Sequence, residues 1–237
     1  GVERSQEGIA LSVQRHGRRR TFTAEKLLVA AGRRPNTRGI GLERAGVEVD
    51  KAGAVLVNRA LRTSVPHIWA AGDVIGRETG SQMATPVGAH DGKIAAHNAL
   101  SGEPLREVAH SIIPRAIFTD PQVAVVGMTD EEANAAGIAC ECNTIPLSVV
   151  PRAGAIRDTR GVIKMVIERP TRRVIGVSML GVNAGEVIHE AAMALRFGAT
   201  TDDFIDLVHV YPTMAEALKL VAISFTKDVN RLSCCAS

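Results

Sequence analysis

Residues 27–31 (LLVAA) form an almost unbroken apolar run that stops abruptly at Gly32, Arg33, Arg34, Pro35 and Asn36. A run of this kind suits a strand buried on both faces, which belongs in an open α/β sheet covered by helices. The stretch leading into it alternates over residues 9–15, turns at His16-Gly17 and returns from Thr21. A second run, residues 67–71 (HIWAA), reads as another such strand and ends at Gly72-Asp73. From Thr85 to Leu100 small and apolar residues recur at helical spacing, with Pro86 placed to suit a first turn. Near residues 104–108 the composition changes, and the remainder reads as a separate α+β unit. Its predicted strands are residues 122–126, 140–147, 162–167 and 174–180, and its predicted helices follow Thr129, Asn183, Thr200 and Pro212. In the longest helix Val187, Ile188, Ala191, Ala192 and Leu195 make one apolar face, suited to a sheet or a second subunit. The expected fold class is α/β followed by α+β.

Composition narrows the function. Aromatic residues make up only 3% of 237 residues, with Trp69 and Tyr211 as the sole Trp and Tyr, so a base-stacking surface for nucleic acid is excluded. A net charge of +3 is too small to imply a polyanion partner, and the basic run RHGRRR (15–20) reads as a solvated hairpin tip. No apolar segment is long enough to cross a bilayer and no signal-peptide pattern opens the chain, so the expected compartment is the cytoplasm.

The segment TSVPHIWAAGD (63–73) puts an acid just past the end of a strand, where open α/β sheets bind ligands and a carboxylate can accept from sugar-like hydroxyls. An ordinary strand ending in a Gly-Asp turn would carry the same residues. The pattern, Thr63 followed six residues later by Trp69 and then Ala-Ala-Gly-Asp, resembles the second flavin fingerprint of the pyridine nucleotide-disulfide oxidoreductases. That resemblance implies that Asp73 holds a ribityl hydroxyl of FAD and that Gly72 lies against the cofactor. LVAAGRRPN (28–36) is similar to the family's return from its nicotinamide domain, with Gly32 near the nucleotide. Met83, Ala84 and Thr85 open a helix whose positive end would face the flavin. FTDPQVAVVGMT (118–129) and GVSMLGVNAGEVIHEAA (176–192) resemble the family's interface domain.

The resemblance implies three regions: residues 1–33 as the end of an NAD(P)-binding domain, 34–108 as part of an FAD-binding domain, and 109–237 as an interface domain with a Cys-Cys tail. Neither the Gly-rich phosphate loop nor the Cys-x4-Cys redox pair is present. The chain therefore reads as the C-terminal half of a longer enzyme, and is expected to be inactive alone.

In HVYPTMAE (209–216), Tyr211 stands where family members that reduce disulfides carry a His before the Pro. A tyrosine with its ordinary pKa of about 10 is a poor base at neutral pH. Glu216, which would orient that His, is retained, and a cis Tyr211-Pro212 bond suits the turn. His209 reads as a packed or surface histidine. Cys234 and Cys235 are adjacent near the end, too close for an ordinary disulfide but suited to clamping a soft metal ion. With Tyr211, this tail resembles the branch of the family that reduces mercuric ion. The resemblance implies FAD and NADPH as cofactors, thiol-bound Hg(II) as substrate, and a homodimer whose tail reaches the partner subunit's flavin. The alternatives are a thioredoxin reductase-like or dihydrolipoamide dehydrogenase-like enzyme, or a non-catalytic dimerisation and metal-sequestering module. Cys140 and Cys142 share one face of a predicted strand and read as structural.

Overall fold

A computed structural model describes residues 1–6, 8–101 and 104–231, which fall into two units, Gly1–Arg34 and Pro35–Ser237. Cys234 and Cys235 lie outside the described residues.

The first unit is an antiparallel meander of β1 (Val2–Ser5), β2 (Gly8–Arg15) and β3 (Arg18–Ala24). Arg15 pairs with Arg18 across a two-residue turn in which His16 (φ 49°) and Gly17 (φ 75°) both take positive φ. That is the turn whose twist matches a hairpin, so the basic run is a hairpin tip as expected. Residues 27–31, however, form no strand: Leu28 is 88% exposed and Val29 76%. An apolar run without side-to-side polarity needs strands paired on both sides and covering helices; β1 to β3 do not pair with this run, and the described part of this unit has no helix. Residues 67–71 likewise form no strand; the bridge between Arg62 and Trp69, with the Thr63 N–H donating to the Ile68 carbonyl and the Ala70 N–H to the Leu61 carbonyl, ties them to the segment just before.

In the second unit, residues 35–84 are largely irregular and lead into α1 (Thr85–Ser101). A small core of Leu61, Ile75, Ala95 and Val108 holds this part, with Trp69 packed on it and Arg62 lying 5.1 Å from the indole centroid. The larger core belongs to a five-stranded antiparallel sheet. Its strands are β4 (Arg115–Ile117), β5 (Gln122–Gly127), β6 (Cys140–Pro146), β7 (Val162–Glu168) and β8 (Val174–Gly181), in the order β4-β5-β8-β7-β6. Between these strands lie the short helices α2 (Asp130–Ala135) and α3 (Pro151–Ala155). After the sheet come α4 (Ala184–Phe197), α5 (Thr201–Asp206) and α6 (Glu216–Ile223).

Local chemistry fixes these boundaries. Thr129 with Glu132 and Thr200 with Asp203 form reciprocal capping boxes that start α2 and α5. Gly198, at φ 69°, ends α4 in the left-handed conformation. The apolar face expected on α4 packs on the sheet, with Val187, Ile188 and Ala191 buried. Gln122 Oε1 accepts from the Gly185 N–H at 3.0 Å, joining the start of β5 to the first turn of α4.

Candidate active site

Two groups of the singled-out residues take shape in the second unit. The first is a corner between the 3-10 turn Gly72–Ile75 and the start of α1. Thr63 staples the approach: its hydroxyl donates to the Ile68 carbonyl at 2.9 Å and accepts from the Val65 N–H at 3.1 Å. Gly72 has φ +80°, and a Cβ on Gly88 would come within 3.3 Å of its Cα. Glycine is needed at both positions for the turn and the helix to approach, which puts half-buried Asp73 beside the first turn of α1. Ser81 Oγ donates to the Gly72 carbonyl at 3.4 Å and accepts from the Met83 N–H at 3.3 Å.

Met83 takes φ 52°, and Ala84 accepts the first intrahelical bond, from the Gly88 N–H at 3.0 Å. The Thr85 and Val87 N–H groups therefore have no intrahelical acceptor, and the first turn carries no acid. A carboxylate next to a positive helix end fits a ligand that combines hydroxyl groups with an electron-rich ring edge. Gly32, at φ +95°, lies in the irregular segment of the first unit.

The second group is a wall formed by Tyr211, cis-Pro212 and the start of α6. Tyr211 is 54% exposed, flanked by Val208 and Val210, which are more exposed still. Glu216 does not lack a partner: its carboxylate accepts from the Thr213 N–H at 3.0 Å, holding the turn after the proline. His209 is turned away from this wall, with Nε2 2.9 Å from Glu190 on α4, so it is a packed histidine.

A third cluster escapes motif reading. Asp91 on α1 is fully buried, and its carboxylate meets His110 Nε2 at 2.8 Å and His90 Nδ1 at 3.1 Å. His110 Nδ1 faces the Thr79 carbonyl at 2.9 Å. The chain from Thr79 through His110 to Asp91 pins the loop after Asp73 against α1. Its signal in the sequence is an acid within the buried stripe Val87, Asp91, Ala95, Asn98, where a carboxylate needs a partner.

Two family profiles cover most of the chain. Residues 2–95 match "Pyridine nucleotide-disulphide oxidoreductase" and residues 113–222 match its dimerisation domain. The chain belongs to the pyridine nucleotide-disulphide oxidoreductase family.

Within that family it is similar to mercuric reductases. It is 41% identical to the Staphylococcus aureus protein over 99% of this chain and 42% of that protein. For the Streptomyces lividans protein the identity is 43% over 99% of this chain and 48% of that protein. Mitochondrial dihydrolipoyl dehydrogenase of Pisum sativum is 36% identical over 94% of this chain and 44% of that protein. The chain thus spans less than half the length of these curated relatives. Among solved structures, LpdA from Mycobacterium tuberculosis matches with a TM-score of 0.81 at 28% identity, covering 95% of this chain and 48% of that one. The HOCl-induced flavoprotein disulfide reductase RclA from Escherichia coli matches at 0.75 and 30%, covering 95% and 50%. These likenesses establish the family fold, although both sheets among the described residues are antiparallel.

Proposed function

We propose that these residues form part of an NADPH-dependent flavoprotein that reduces Hg(II) to Hg(0) in mercury detoxification. The observation that carries this reading over disulfide reduction is Tyr211, on a turn held by Glu216, at the position where disulfide reductases of the family place a histidine base. A phenol is a far weaker proton acceptor than an imidazole, but it can line a site where thiol ligands exchange on a metal ion. The 41% identity to a mercuric reductase over 99% of the chain supports the same choice.

In this reading bound FAD would supply the two-electron chemistry that links NADPH to a redox-active cysteine pair, which these 237 residues do not contain. Asp73 holds a hydroxyl of the FAD, Gly72 lines it, and the first turn formed by Met83, Ala84 and Thr85 meets the flavin edge with the positive helix end. Gly32 approaches the nicotinamide nucleotide. Cys234 and Cys235 capture Hg(II) from thiol carriers and deliver it across a homodimer to the partner subunit's flavin, past a wall of Tyr211 and Glu216. Residues 1–33, 34–108 and 109–237 contribute to the NAD(P), FAD and interface domains in turn.

The test is NADPH-dependent release of Hg(0) vapour by the longer protein that carries this sequence. Tyr211→Phe removes one hydrogen-bonding group, so turnover of thiol-bound Hg(II) should fall on the order of tenfold. Neither the parent nor the variant should reduce lipoamide or glutathione disulfide at a comparable rate. Efficient disulfide reduction without Hg(0) release would favour the dihydrolipoamide dehydrogenase-like alternative. The 237 residues alone should release no Hg(0), and release from them would sink the division of labour proposed here.

A further inference from the structure

Cys140 and Cys142 have no place in the reaction proposed above, yet their surroundings are organised. They lie on β6, an edge strand paired only with β7, and both are half-buried free thiols. Period-2 alternation puts them on one face, while Asn143 and Ile145 turn to the other. There Asn143 Nδ2 donates to the Ser224 carbonyl at 2.8 Å and Ile145 joins the core. On the cysteine face α2 packs against the strand. Both thiols converge on its first residue: Cys142 Sγ is 3.5 Å from Asp130 Oδ2, and Cys140 Sγ is 3.9 Å from the Asp130 carbonyl. Cys140 Sγ also lies 3.6 Å from Asn134 Oδ1. Lys164 on β7 forms an ion pair with the other Asp130 oxygen, so this carboxylate stays an acceptor and a positive charge sits beside the thiols.

The spacing favours a dithiol over a disulfide. Residues i and i+2 of a strand are about 6.6 Å apart with parallel Cβ directions, whereas most disulfides hold their Cα atoms at about 5.5–6 Å and turn the side chains toward each other. Two thiols that cannot easily bond to each other can still lean onto one ion between them. Among the described residues no group of three or more His, Cys, Asp and Glu side chains is placed to hold a metal, which rules out a four-ligand zinc centre built from them. Two thiolates suffice for a soft cation that accepts two-coordinate sulfur ligation.

We infer that Cys140 and Cys142 form a second thiol-pair site, separate from the terminal Cys234-Cys235 pair, that binds one soft cation such as Hg(II) between the two sulfurs. When the ion arrives as a bis-thiolate complex, two ligand exchanges occur. Two metal–sulfur bonds to the carrier break and two to Cys140 and Cys142 form. The two cysteine protons leave on the two released carrier thiols, and nothing is oxidised or reduced. Burial and the Asp130 hydrogen bond push the Cys142 thiol above its ordinary value. The geometry of the pair stands whether or not the reaction proposed above is correct.

The test uses the full 237-residue chain with the tail pair removed, Cys234→Ala and Cys235→Ala. It is loaded with Hg(II) as the bis-glutathione complex and desalted into excess glutathione. One Hg(II) per chain should remain, and X-ray absorption should show two sulfur ligands at one distance. Adding Cys140→Ser or Cys142→Ser singly should weaken retention at least about 100-fold, since the second thiol no longer acts at high effective concentration. Unfolding midpoints of these variants check that the strand persists. The spectroscopy on the parent chain needs no substitution in β6. Retention unchanged by either serine, no retained Hg(II), or a native mass showing one carrier glutathione still bound with the ion would each overturn the site.

Discussion

Asp130 is held by two kinds of neighbour, and its acidity records that. The hydrogen bond from Lys164 is the main cause that lowers its pKa from 3.8 to about 2, against an opposing contribution from burial. A carboxyl whose folded value lies below its unfolded one adds stability that is present in full above the unfolded value and lost as pH falls through the folded one. The Asp130 contribution is therefore intact above pH 3.8 and fades toward pH 2. Asp158, lowered to about 2 by Arg160, and Asp203, lowered by Thr200, titrate in the same direction. Asp130→Asn should be less stable than the parent at neutral pH, and the gap should close as pH is lowered toward 2. Thermal unfolding scans at several pH values read this directly, and a gap that does not change with pH would show that the Lys164 pair contributes nothing. At this scale the sequence was partly legible. The shared face of Cys140 and Cys142 follows from strand alternation, but their convergence on Asp130 depends on where α2 lands, which is set by tertiary packing. Glu216 shows the same limit, because its link to the Thr213 N–H appears only once the turn after Pro212 is formed.

Elements that can satisfy their own backbone were the readable ones. The strands β5 to β8 pair with each other in antiparallel register and bury one face, so alternation and capping residues located them to within a residue or two, whereas the three-residue edge strand β4 was not foreseen. Residues 27–31 and 67–71 resemble buried parallel strands, but such strands exist only between neighbours distant in sequence, and here they stay irregular. What holds the irregular part together is the buried acid on α1. Removing His110 leaves Asp91 facing only His90, whose side chain is half exposed. Leaving a buried carboxylate without its hydrogen-bond partner costs about 1–3 kcal/mol or more, so His110→Ala should lower the unfolding free energy by about that amount. Adding Asp91→Ala removes the stranded charge, so the double variant should lose less than the sum of the two single losses. Denaturant titration of the four proteins closes the cycle, and strict additivity would mean that the pair does not hold the loop.

At the scale of the whole molecule, one face carries apolar side chains that the described residues leave uncovered. Met193 and Phe197 sit one turn apart on α4, on the side where Glu190 receives His209. That contact brings the exposed Val208, Val210 and Tyr211 alongside, and Phe118 lies at the other end of α4, its ring 3.6 Å from where a Cβ on Gly185 would sit. Contiguous apolar surface of this kind is costly in water and marks an interface. The matched dimerisation domain, residues 113–222, spans all of these side chains. A second copy packing by two-fold symmetry would cover the patch with its own equivalent and place Tyr211 at the subunit boundary. Phe197→Glu and Val208→Glu each put a charge into that contact without touching the core, so sedimentation analysis should show dissociation toward monomer with little change in the unfolding midpoint. The proposed tail delivery then makes a sharper demand on the longer protein. In the proposed reaction, hydride transfer from NADPH to the flavin would need one subunit only, whereas Hg(II) handed over by the tail would have to cross between two. The charged variants should keep rapid flavin bleaching by NADPH and lose most Hg(0) release. Loss of both together would indicate general unfolding, and retention of both in a demonstrated monomer would remove the need for a partner subunit.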